Sequence, residues 1–268
     1  MRYIFDNDLH IHSHISLCSN DPAETNEAIL DYAVKNKLKT IVLTDHFWDE
    51  SVPGAENFGF YRDQNYAHIA AALPLPTREG VRFLFGCETE LDKNLTLGIA
   101  KEHFDRFSFI VIPTTHLHMG GFTCLGDEDA AERAKLWVDR FDAVLDMELP
   151  FYKVGIAHLT CSLMARGNYL EVLRLIPDSE MERVFARAAK AGVGIELNFD
   201  EKELYYPDAD LETIMRPYRI AKKAGCGFYF ASDAHHPATL DAEKAKAERV
   251  IDLLGLTEDD KFILEEKQ

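Results

Sequence analysis

DLHIH (residues 8–12) closes the first of seven short apolar runs, and each later run also ends in histidine, glutamate or asparagine. The runs are YIFDNDLHIH (3–12), KTIVLTDH (39–46), VRFLFGCE (81–88), FSFIVIPTTH (107–116), YKVGIAH (152–158), VGIELN (193–198) and CGFYFASDAH (226–235). Short runs rich in β-formers are typical of buried parallel strands. The carboxyl ends of such strands meet at one mouth, so we expect residues far apart in the chain to be neighbours there.

Helical patterns separate these runs. Apolar residues recur at three- and four-residue spacing, which predicts helices over residues 23–37, 128–147, 178–192, 209–224 and 241–255. The last three should end at Gly192, Gly225 and Gly255, because glycine readily adopts the left-handed conformation that ends a helix. The segment 47–80 is predicted as a long loop with room for one helix. Strands that alternate with helices predict an α/β fold, either a βα barrel or a doubly wound sheet.

The composition is that of an ordinary globular protein. The 268 residues are 47% hydrophobic and 28% charged, and no repeat or linker divides them, so we predict one domain over residues 1–268. The 29 basic and 46 acidic residues give a net charge of −17, which argues against nucleic acid or an anionic membrane as a general partner. No apolar stretch reaches the roughly 20 residues of a membrane span. Five scattered cysteines without a CxxC pair indicate reduced thiols and a cytoplasmic protein.

The side chains at the strand ends are those that bind metal ions. His10 and His12 are two residues apart on one predicted strand, so both rings point to the same face and can hold one ion. Imidazoles and carboxylates without paired thiolates favour zinc, manganese or iron. The remaining histidines and acids are too many for one tetrahedral ion. We therefore predict two or three divalent ions, with Glu88 as the bridging carboxylate.

The motifs occur in an order that resembles a known family. DLHIHSH, TDH, GCE, TTH, GIAH and SDAH, spread from residue 8 to residue 235, resemble the polymerase and histidinol phosphatase (PHP) family of metal-dependent phosphoesterases. Each motif alone is weakly specific, but the complete set in this order is strongly specific. The resemblance implies a distorted (β/α)7 TIM-like barrel with a di- or trinuclear metal cluster at its mouth.

The resemblance also implies which residues hold each ion. A first ion would be held by His10, His12, Glu88 and Asp233, and a second by Glu88, His116 and His158. A third would be held by His46 and His235, together with one more ligand that follows the HxH pair. Within this cluster we predict Glu88, Asp233 and His235 as the catalytic residues.

The remaining ligand of the third ion departs from the family pattern, which has a histidine or aspartate at that place. In HIHSHISLCSND (10–21) the equivalent place is held by Cys18, with Asp21 three residues further on and His14 just after the pair. The thiolate of Cys18 can bind a soft ion, whereas the carboxylate of Asp21 suits a harder one. We predict Cys18 as the ligand and keep Asp21 as the alternative.

Three polar residues at strand ends are open to two interpretations. Asp45 either orients a metal-bound imidazole or caps the loop that follows it. Glu196 and Asn198 lie just behind a strand, where a structural hydrogen-bonding role and a catalytic role are equally compatible with the sequence.

The resemblance and the chemistry of such a cluster predict hydrolysis of a phosphate monoester. The cations generate hydroxide from bound water near neutral pH and neutralise the charge that builds on the phosphoryl oxygens. Since the net charge of the chain repels anions, local cations must help, and Arg166 is the first candidate. His118 and His236 lie beside predicted ligands and are the other candidate substrate contacts. Stand-alone chains of this size resemble histidinol phosphate phosphatases, so the expected partner is a small phosphorylated metabolite, with no indication of the oligomeric state.

Other functions would use a similar set of residues. A phosphoesterase of the same family can act on a nucleotide, a sugar phosphate or a phosphotyrosyl protein. Amidohydrolase barrels also carry an HxH pair on strand one and a late aspartate, but they usually have a bridging lysine, and here Glu88 takes that place. A non-catalytic metal-binding barrel is a further alternative, against which the nearly complete ligand set argues.

Overall fold

The computed structural model describes residues 1–19 and 21–265, and every strand pairing in this part of the chain is parallel. The strands are β1 (Asn7–Ile11), β2 (Thr40–Leu43), β3 (His46–Phe47), β4 (Arg82–Phe85), β5 (Cys87–Thr89), β6 (Ile110–Pro113), β7 (Val154–Ala157), β8 (Gly194–Leu197) and β9 (Gly227–Phe230). They form two sheets with the orders β1-β2-β4 and β3-β5-β6-β7-β8-β9.

Two broken strands connect the sheets. β3 continues β2 after Thr44 and Asp45, and β5 continues β4 after Gly86. A Cβ atom on Gly86 would lie 2.6 Å from the carbonyl oxygen of Phe109 and 2.7 Å from Val42 Cγ1, so only glycine fits at this crossing. With each continuation counted together with its parent strand, the strands of the described chain occupy seven positions. This is the number predicted from the apolar runs.

The first and last strands close the barrel. Ile11 forms a parallel bridge with Ala234. The amide of His12 donates to the carbonyl of Ala234 at 3.0 Å, and the amide of Asp233 donates to the carbonyl of His10 at 2.9 Å. This closure lies at the carboxyl ends of β1 and β9 and takes the place of a regular ladder, which distorts the ring. The predicted distorted (β/α)7 barrel is confirmed.

The helices bury their apolar faces in the core that they share with the strands. They are α1 (Asn26–Asn36), α2 (Gly59–Arg62), α3 (Tyr66–Ile69), α4 (Ala130–Asp146), α5 (Tyr169–Leu175), α6 (Asp178–Ala191), α7 (Asp208–Ala224), α8 (Pro237–Leu240) and α9 (Glu243–Leu254). Single 3₁₀ turns cover Ala70–Ala72, Lys101–Arg106, Phe151–Lys153, Ser162–Met164, Glu201–Tyr205 and Glu258–Asp260. Among the described residues, no helix combines the length and the apolar character that a membrane crossing requires.

The five predicted helices are confirmed as α1, α4, α6, α7 and α9. Gly192, Gly225 and Gly255 follow the last three with positive φ values of 76°, 85° and 59°. The segment 47–80 differs from the prediction, because it holds two short helices instead of one, and the Asn65 side chain caps the second of them. The sequence did not indicate α5, which has only seven residues and shows too little periodicity.

The interior of the barrel is apolar. It is filled by a cluster of side chains from the strands and from the segment after α9: Leu9, Val42, Phe109, Val111, Ala157, Tyr229, Ala231, Phe262 and Leu264. The amide of Phe262 donates to the carbonyl of Phe228 at 2.8 Å, which ties that segment to β9. The polar residues that end the strands therefore collect beyond this core, at the carboxyl ends of the strands.

Candidate metal centre

The strand ends bring all nine predicted metal ligands together. Their donor atoms form three sets, and within each set the donors lie within 4.8 Å of one another. Site A is His10, His12 and Asp233; site B is Glu88, His116 and His158; site C is His12, Cys18, His46 and His235. A fourth set joins Glu196 to His10 and His158.

Site A has the donor spacing of a tetrahedral metal site. The Nε2 atoms of His10 and His12 are 3.1 Å apart. Asp233 Oδ1 lies 3.5 Å from His10 Nε2 and 3.1 Å from His12 Nε2. Ligands held about 2.0–2.1 Å from a zinc ion in a tetrahedron are about 3.3 Å from one another. The three donors therefore fit around one ion.

Hydrogen bonds behind the rings fix which nitrogen faces the centre. His10 Nδ1 lies 2.7 Å from Glu196 Oε2 and donates to it, which leaves the lone pair on Nε2. His12 Nδ1 lies 3.0 Å from Ser16 Oγ, whose own proton goes to Asp45 at 2.8 Å, so His12 also carries its lone pair on Nε2. Two lone pairs that face each other at 3.1 Å repel unless a proton or a metal ion lies between them. The residues of site A therefore fit a metal ion.

Glu88 lies between the sites with an unsatisfied carboxylate. It is fully buried, and in the described part of the chain neither oxygen meets a donor in hydrogen-bonding geometry. Its Oε2 lies 2.8 Å from His46 Nδ1 and 3.3 Å from His12 Nε2. Its Oε1 lies 3.4 Å from His158 Nε2. Burial by itself raises the pKa of Glu88, but the imidazoles of His46 and His10 hold it well below its usual range. An ionised carboxylate in this position can bridge two ions.

Site B joins Glu88 to two stacked imidazoles. The rings of His116 and His158 have their centroids 4.6 Å apart. His116 Nδ1 lies 2.9 Å from Glu90 Oε2, which leaves Nε2 as the nitrogen that can bind a metal. Burial and the neighbouring His158 hold the pKa of His116 well below its usual range, so this ring is neutral and its lone pair is free.

Site C contains the thiol of Cys18, which departs from the family pattern. Cys18 Sγ lies 2.9 Å from His235 Nε2, and the ring of His235 stacks on that of His12 with centroids 4.3 Å apart. Burial, and then the charges of Glu88 and Asp233, raise the pKa of the Cys18 thiol above its usual range. Cys18 therefore keeps its proton unless a cation displaces it, and a soft divalent ion does this readily.

The two alternatives to Cys18 lie away from site C. Asp21 Oδ1 accepts a hydrogen bond from the amide of Ala23 at 2.9 Å, and its Oδ2 lies 3.7 Å from His236 Nδ1. His14 is exposed, and its Nδ1 lies 3.1 Å from the carbonyl oxygen of Glu24. The geometry favours Cys18 over both.

The pKa values of two buried rings show that the centre favours positive charge. Burial lowers the pKa of His12, but Asp233 and Glu88 raise it to about 9. Burial also lowers the pKa of His158, but Glu196 and Asp233 raise it to about 9. The carboxylates thus outweigh the cost of burying a charge, and divalent cations would satisfy them more fully than protons.

Two of the candidate ligands have a strained backbone. His158 follows β7 with a φ of 63°, and Asp233 follows β9 with a φ of 50°. Non-glycine residues in the left-handed region cost on the order of 1–3 kcal/mol each, and such residues cluster at functional sites. The strain turns both side chains towards the other ligands as the chain leaves the barrel.

The predicted substrate contacts differ in their placement. His118 lines the same cavity as the ligands, and its buried Nδ1 has no hydrogen-bond partner among the described residues. Burial, and then the charge of Arg166, lower the pKa of His118 to about 4. Arg166 is exposed and lines an adjoining pocket that also includes His118. His236 is half exposed beside Asp21 and does not line the cavity.

Sequence reasoning missed two residues that orient the candidate ligands, Ser16 and Glu90. Asp45 does act on an imidazole, but it does so through Ser16, and the sequence did not single out Ser16. Glu196 orients His10, which was one of the two roles left open for it. Glu90 received no role at all. Its position two residues after Glu88 was the one available signal, because alternate residues of an extended strand share a face.

Comparisons with known proteins identify the fold and the family of the chain. A histidinol phosphate phosphatase from Lactococcus lactis, solved in complex with zinc, L-histidinol and phosphate, superposes with a TM-score of 0.56 at 16% sequence identity. The match covers 94% of this chain and 95% of the Lactococcus chain, and at that identity it shows the fold. A comparison with curated protein sequences finds no match. The PHP domain family matches residues 8–267, which include every strand end described above. The chain belongs to the PHP domain family.

Proposed function

We propose that this chain is a metal-dependent phosphoesterase that hydrolyses a phosphate monoester of a small metabolite, as histidinol phosphate phosphatases do. One observation carries the proposal. The donor nitrogens of His10 and His12 and the unsatisfied carboxylate of Glu88 converge at distances of 3.1–3.5 Å, which is the spacing of ligands around a shared metal ion. The family of the chain supports the same reaction.

The proposal assigns ions to the three sites. Site A would hold one ion with help from Glu88, site B would hold a second, and site C would hold a third through the thiolate of Cys18. Zinc, manganese and iron all suit these nitrogen, oxygen and sulfur donors. When bound, such ions supply a hydroxide near neutral pH and neutralise charge on the phosphoryl group. The catalytic assignment of Glu88, Asp233 and His235 belongs to the same proposal.

The side chains around the ligands would bind and orient the ester. His118 is neutral at pH 7 because its pKa is about 4, so one ring nitrogen can donate a hydrogen bond to a phosphate oxygen without adding charge. Arg166 has no acidic partner among the described residues and lines the pocket that adjoins the cavity, so it would contact an anion at the mouth. His236 would act only from the rim.

Two further expectations accompany the proposal. The one-domain organisation over residues 1–268 stays a prediction, and residues 266–268 lie outside the described residues. The cytoplasmic location also stays a prediction, which rests on the cysteine usage. All five cysteines are free thiols in the structure.

Metal removal and reloading test the proposal. The purified chain is stripped with a chelator, reloaded with zinc, manganese or iron, and assayed for phosphate release from a panel of phosphate monoesters that includes L-histidinol phosphate. We expect release only from the reloaded protein. Glu88→Gln should lose it, whereas Glu50→Gln, at an exposed position, should retain it. Hydrolysis without metal would contradict the proposal, as would hydrolysis of amides or lactones alone.

A further inference from the structure

The cavity beside the candidate ligands has an apolar wall that the metal sites do not require. The cavity measures about 350 Å³, a size that suits a small molecule. One side is formed by Phe58, Phe60, Met119 and Leu163, and each of these four side chains is only partly buried. Apolar surface left open beside a polar centre marks the place of an apolar ligand group. We call these four residues the apolar wall.

Packing behind the apolar wall holds it in place. The ring of Phe58 stacks on Phe122 with centroids 4.3 Å apart and an interplanar angle of 2°. Phe122 in turn lies against Trp48 and Tyr61, with centroid distances of 5.3 Å to each. The indole of Trp48 packs directly against Gly98, because a Cβ atom added to this glycine would lie only 2.4 Å from the indole. A wall supported by close-packed rings can present a fixed surface to a ligand.

The apolar wall begins directly beside the ligand set. The ring of Phe60 meets that of His46 at a centroid distance of 5.1 Å and an angle of 68°. His46 belongs to site C, so a phosphoryl group held by the ions would lie about one ring away from Phe60. The group in contact with the wall is therefore the alcohol part of the ester, near the bond that breaks.

The charges around the cavity disfavour a cationic alcohol. Of the described residues that line it, only Glu88 and Asp233 are acidic, and both are candidate metal ligands. Bound ions would neutralise them, and the exposed Arg166 adds positive charge in the adjoining pocket. A buried ammonium group without a carboxylate partner costs several kcal/mol. An uncharged alcohol has no such cost.

We propose that the substrate is a small phosphate monoester whose alcohol is uncharged and aromatic, and that the apolar wall binds this alcohol. The inference rests on the proposed phosphoesterase function and names its substrate class. In the reaction, the bond between phosphorus and the alcohol oxygen breaks, the oxygen of water bonds to phosphorus, and a proton passes to the alcohol. The aromatic alcohol leaves and inorganic phosphate remains.

Two esters with the same linkage test this preference. In 2-phenylethyl phosphate and 2-aminoethyl phosphate the phosphate is joined to the same two-carbon alkyl chain, so they differ chiefly in the group that would meet the wall. With zinc-loaded protein we expect the phenyl ester to have a kcat/KM about 10-fold or more above the value for the amino ester. We expect the same advantage over L-histidinol phosphate. Equal values, or a preference for either amine, would overturn the inference.

Two side-chain truncations, one at a leucine and one at a methionine, connect the preference to the wall. Leu163→Ala should reduce the ratio of kcat/KM between the phenyl and amino esters several-fold, and Met119→Ala should do the same from the neighbouring position. Leu125→Ala is the matched control, because Leu125 is 73% exposed and does not line the cavity. An unchanged ratio in both wall variants would contradict the inference. Thermal melts of all three variants check that they are folded.

A binding measurement separates this inference from the proposed function. Calorimetry with 2-phenylethylphosphonate and 2-aminoethylphosphonate, which are not hydrolysed, needs no turnover. If no ester is hydrolysed but the zinc-loaded protein binds the phenyl compound at least about 10-fold more tightly, the proposed function fails and the apolar site stands. If esters are hydrolysed but the two phosphonates bind equally, the proposed function stands and the inference fails.

Discussion

Arg140 and His116 are joined through one buried carboxylate. Arg140 Nη2 donates to Glu90 Oε1 at 3.0 Å, and Glu90 Oε2 accepts from His116 Nδ1 at 2.9 Å. The guanidinium is 1% exposed, and its other donors go to the carbonyl oxygens of Thr114, Leu91, Asp92 and Thr123. A helix of the barrel thus sets the orientation of a candidate metal ligand.

Glu90→Gln should weaken both the fold and site B. The change leaves the charge of Arg140 buried without a carboxylate, which typically costs about 3–5 kcal/mol of unfolding free energy. It also weakens the acceptor that orients His116, so metal affinity at site B should fall about 10–100-fold. Chemical denaturation and a competitive metal titration measure the two effects. The control is Glu148→Gln, since Glu148 is 85% exposed, and it should change neither quantity. Full retention of metal affinity would show that Glu90 has only a structural role.

Glu88→Gln should remove more than one metal ion from each chain. Glu88 Oε2 faces sites A and C and Oε1 faces site B, so loss of its charge affects all of them. Elemental analysis of the purified protein should give two or three ions per wild-type chain, and the variant should lose more than one of them. Glu50→Gln serves as the exposed control. A wild-type content of zero or one ion, in protein never exposed to chelator, would contradict the cluster.

His10→Ala and Asp233→Ala should each reduce kcat for a phosphate monoester by at least about 10³-fold. This corresponds to a loss of about 4 kcal/mol of transition-state stabilisation, because both residues would hold the ion of site A. Steady-state kinetics under saturating metal measure the loss. Undiminished turnover in both variants would mean that the chemistry takes place elsewhere.

Cys18→Ser should lower the metal content of site C selectively. Serine is a poor ligand for soft ions, so zinc should be lost first, whereas Cys18→Asp should restore binding of harder ions such as manganese. Asp21→Asn is the matched control, because Asp21 faces His236 instead of site C. Anomalous scattering beside His46 and His235 locates the ion. If the ion is lost in Asp21→Asn but retained in Cys18→Ser, the ligand at site C is Asp21 and not Cys18.

Glu24→Gln should change how stability depends on pH. Glu24 is fully buried without a hydrogen-bond partner among the described residues, and burial, followed by Asp21 and Asp8, raises its pKa to about 7. From about pH 4.5 to pH 7 the folded state keeps a proton that the unfolded state releases, so this group stabilises the fold at low pH and the contribution is lost as pH rises. Denaturation curves at pH 5 and pH 8 should show that the unfolding free energy of the variant, relative to the wild type, is higher at pH 8 by about 2–3 kcal/mol. The Glu50→Gln control should show the same pH dependence of stability as the wild type. If Glu24→Gln shows the same dependence too, the pKa of Glu24 is not raised.

The fold and the convergence of the strand ends could be predicted because both depend on local patterns. The apolar runs indicate, within a few residues, where each strand ends. The HxH spacing indicates which side chains share a face of the strand. Arg140 could not be predicted in the same way. It lies within a helix, among apolar residues, and it is buried only because carbonyl groups and Glu90 from distant segments surround it. The apolar wall could not be predicted for a similar reason, since Phe58 and Phe60 lie in a segment without periodicity, and Phe58 is held by Phe122, which packs on Trp48.

Closure of the barrel determines when site A can be completed during synthesis and folding of the chain. Site A takes two ligands from the first strand and one from just beyond the last strand, and the amide of Asp233 bonds to the carbonyl of His10 as that closure forms. During synthesis His10 and His12 leave the ribosome more than 200 residues before Asp233 does. The nascent chain cannot complete site A until its final strand docks, so an ion that needs all three donors of site A would bind only after barrel closure.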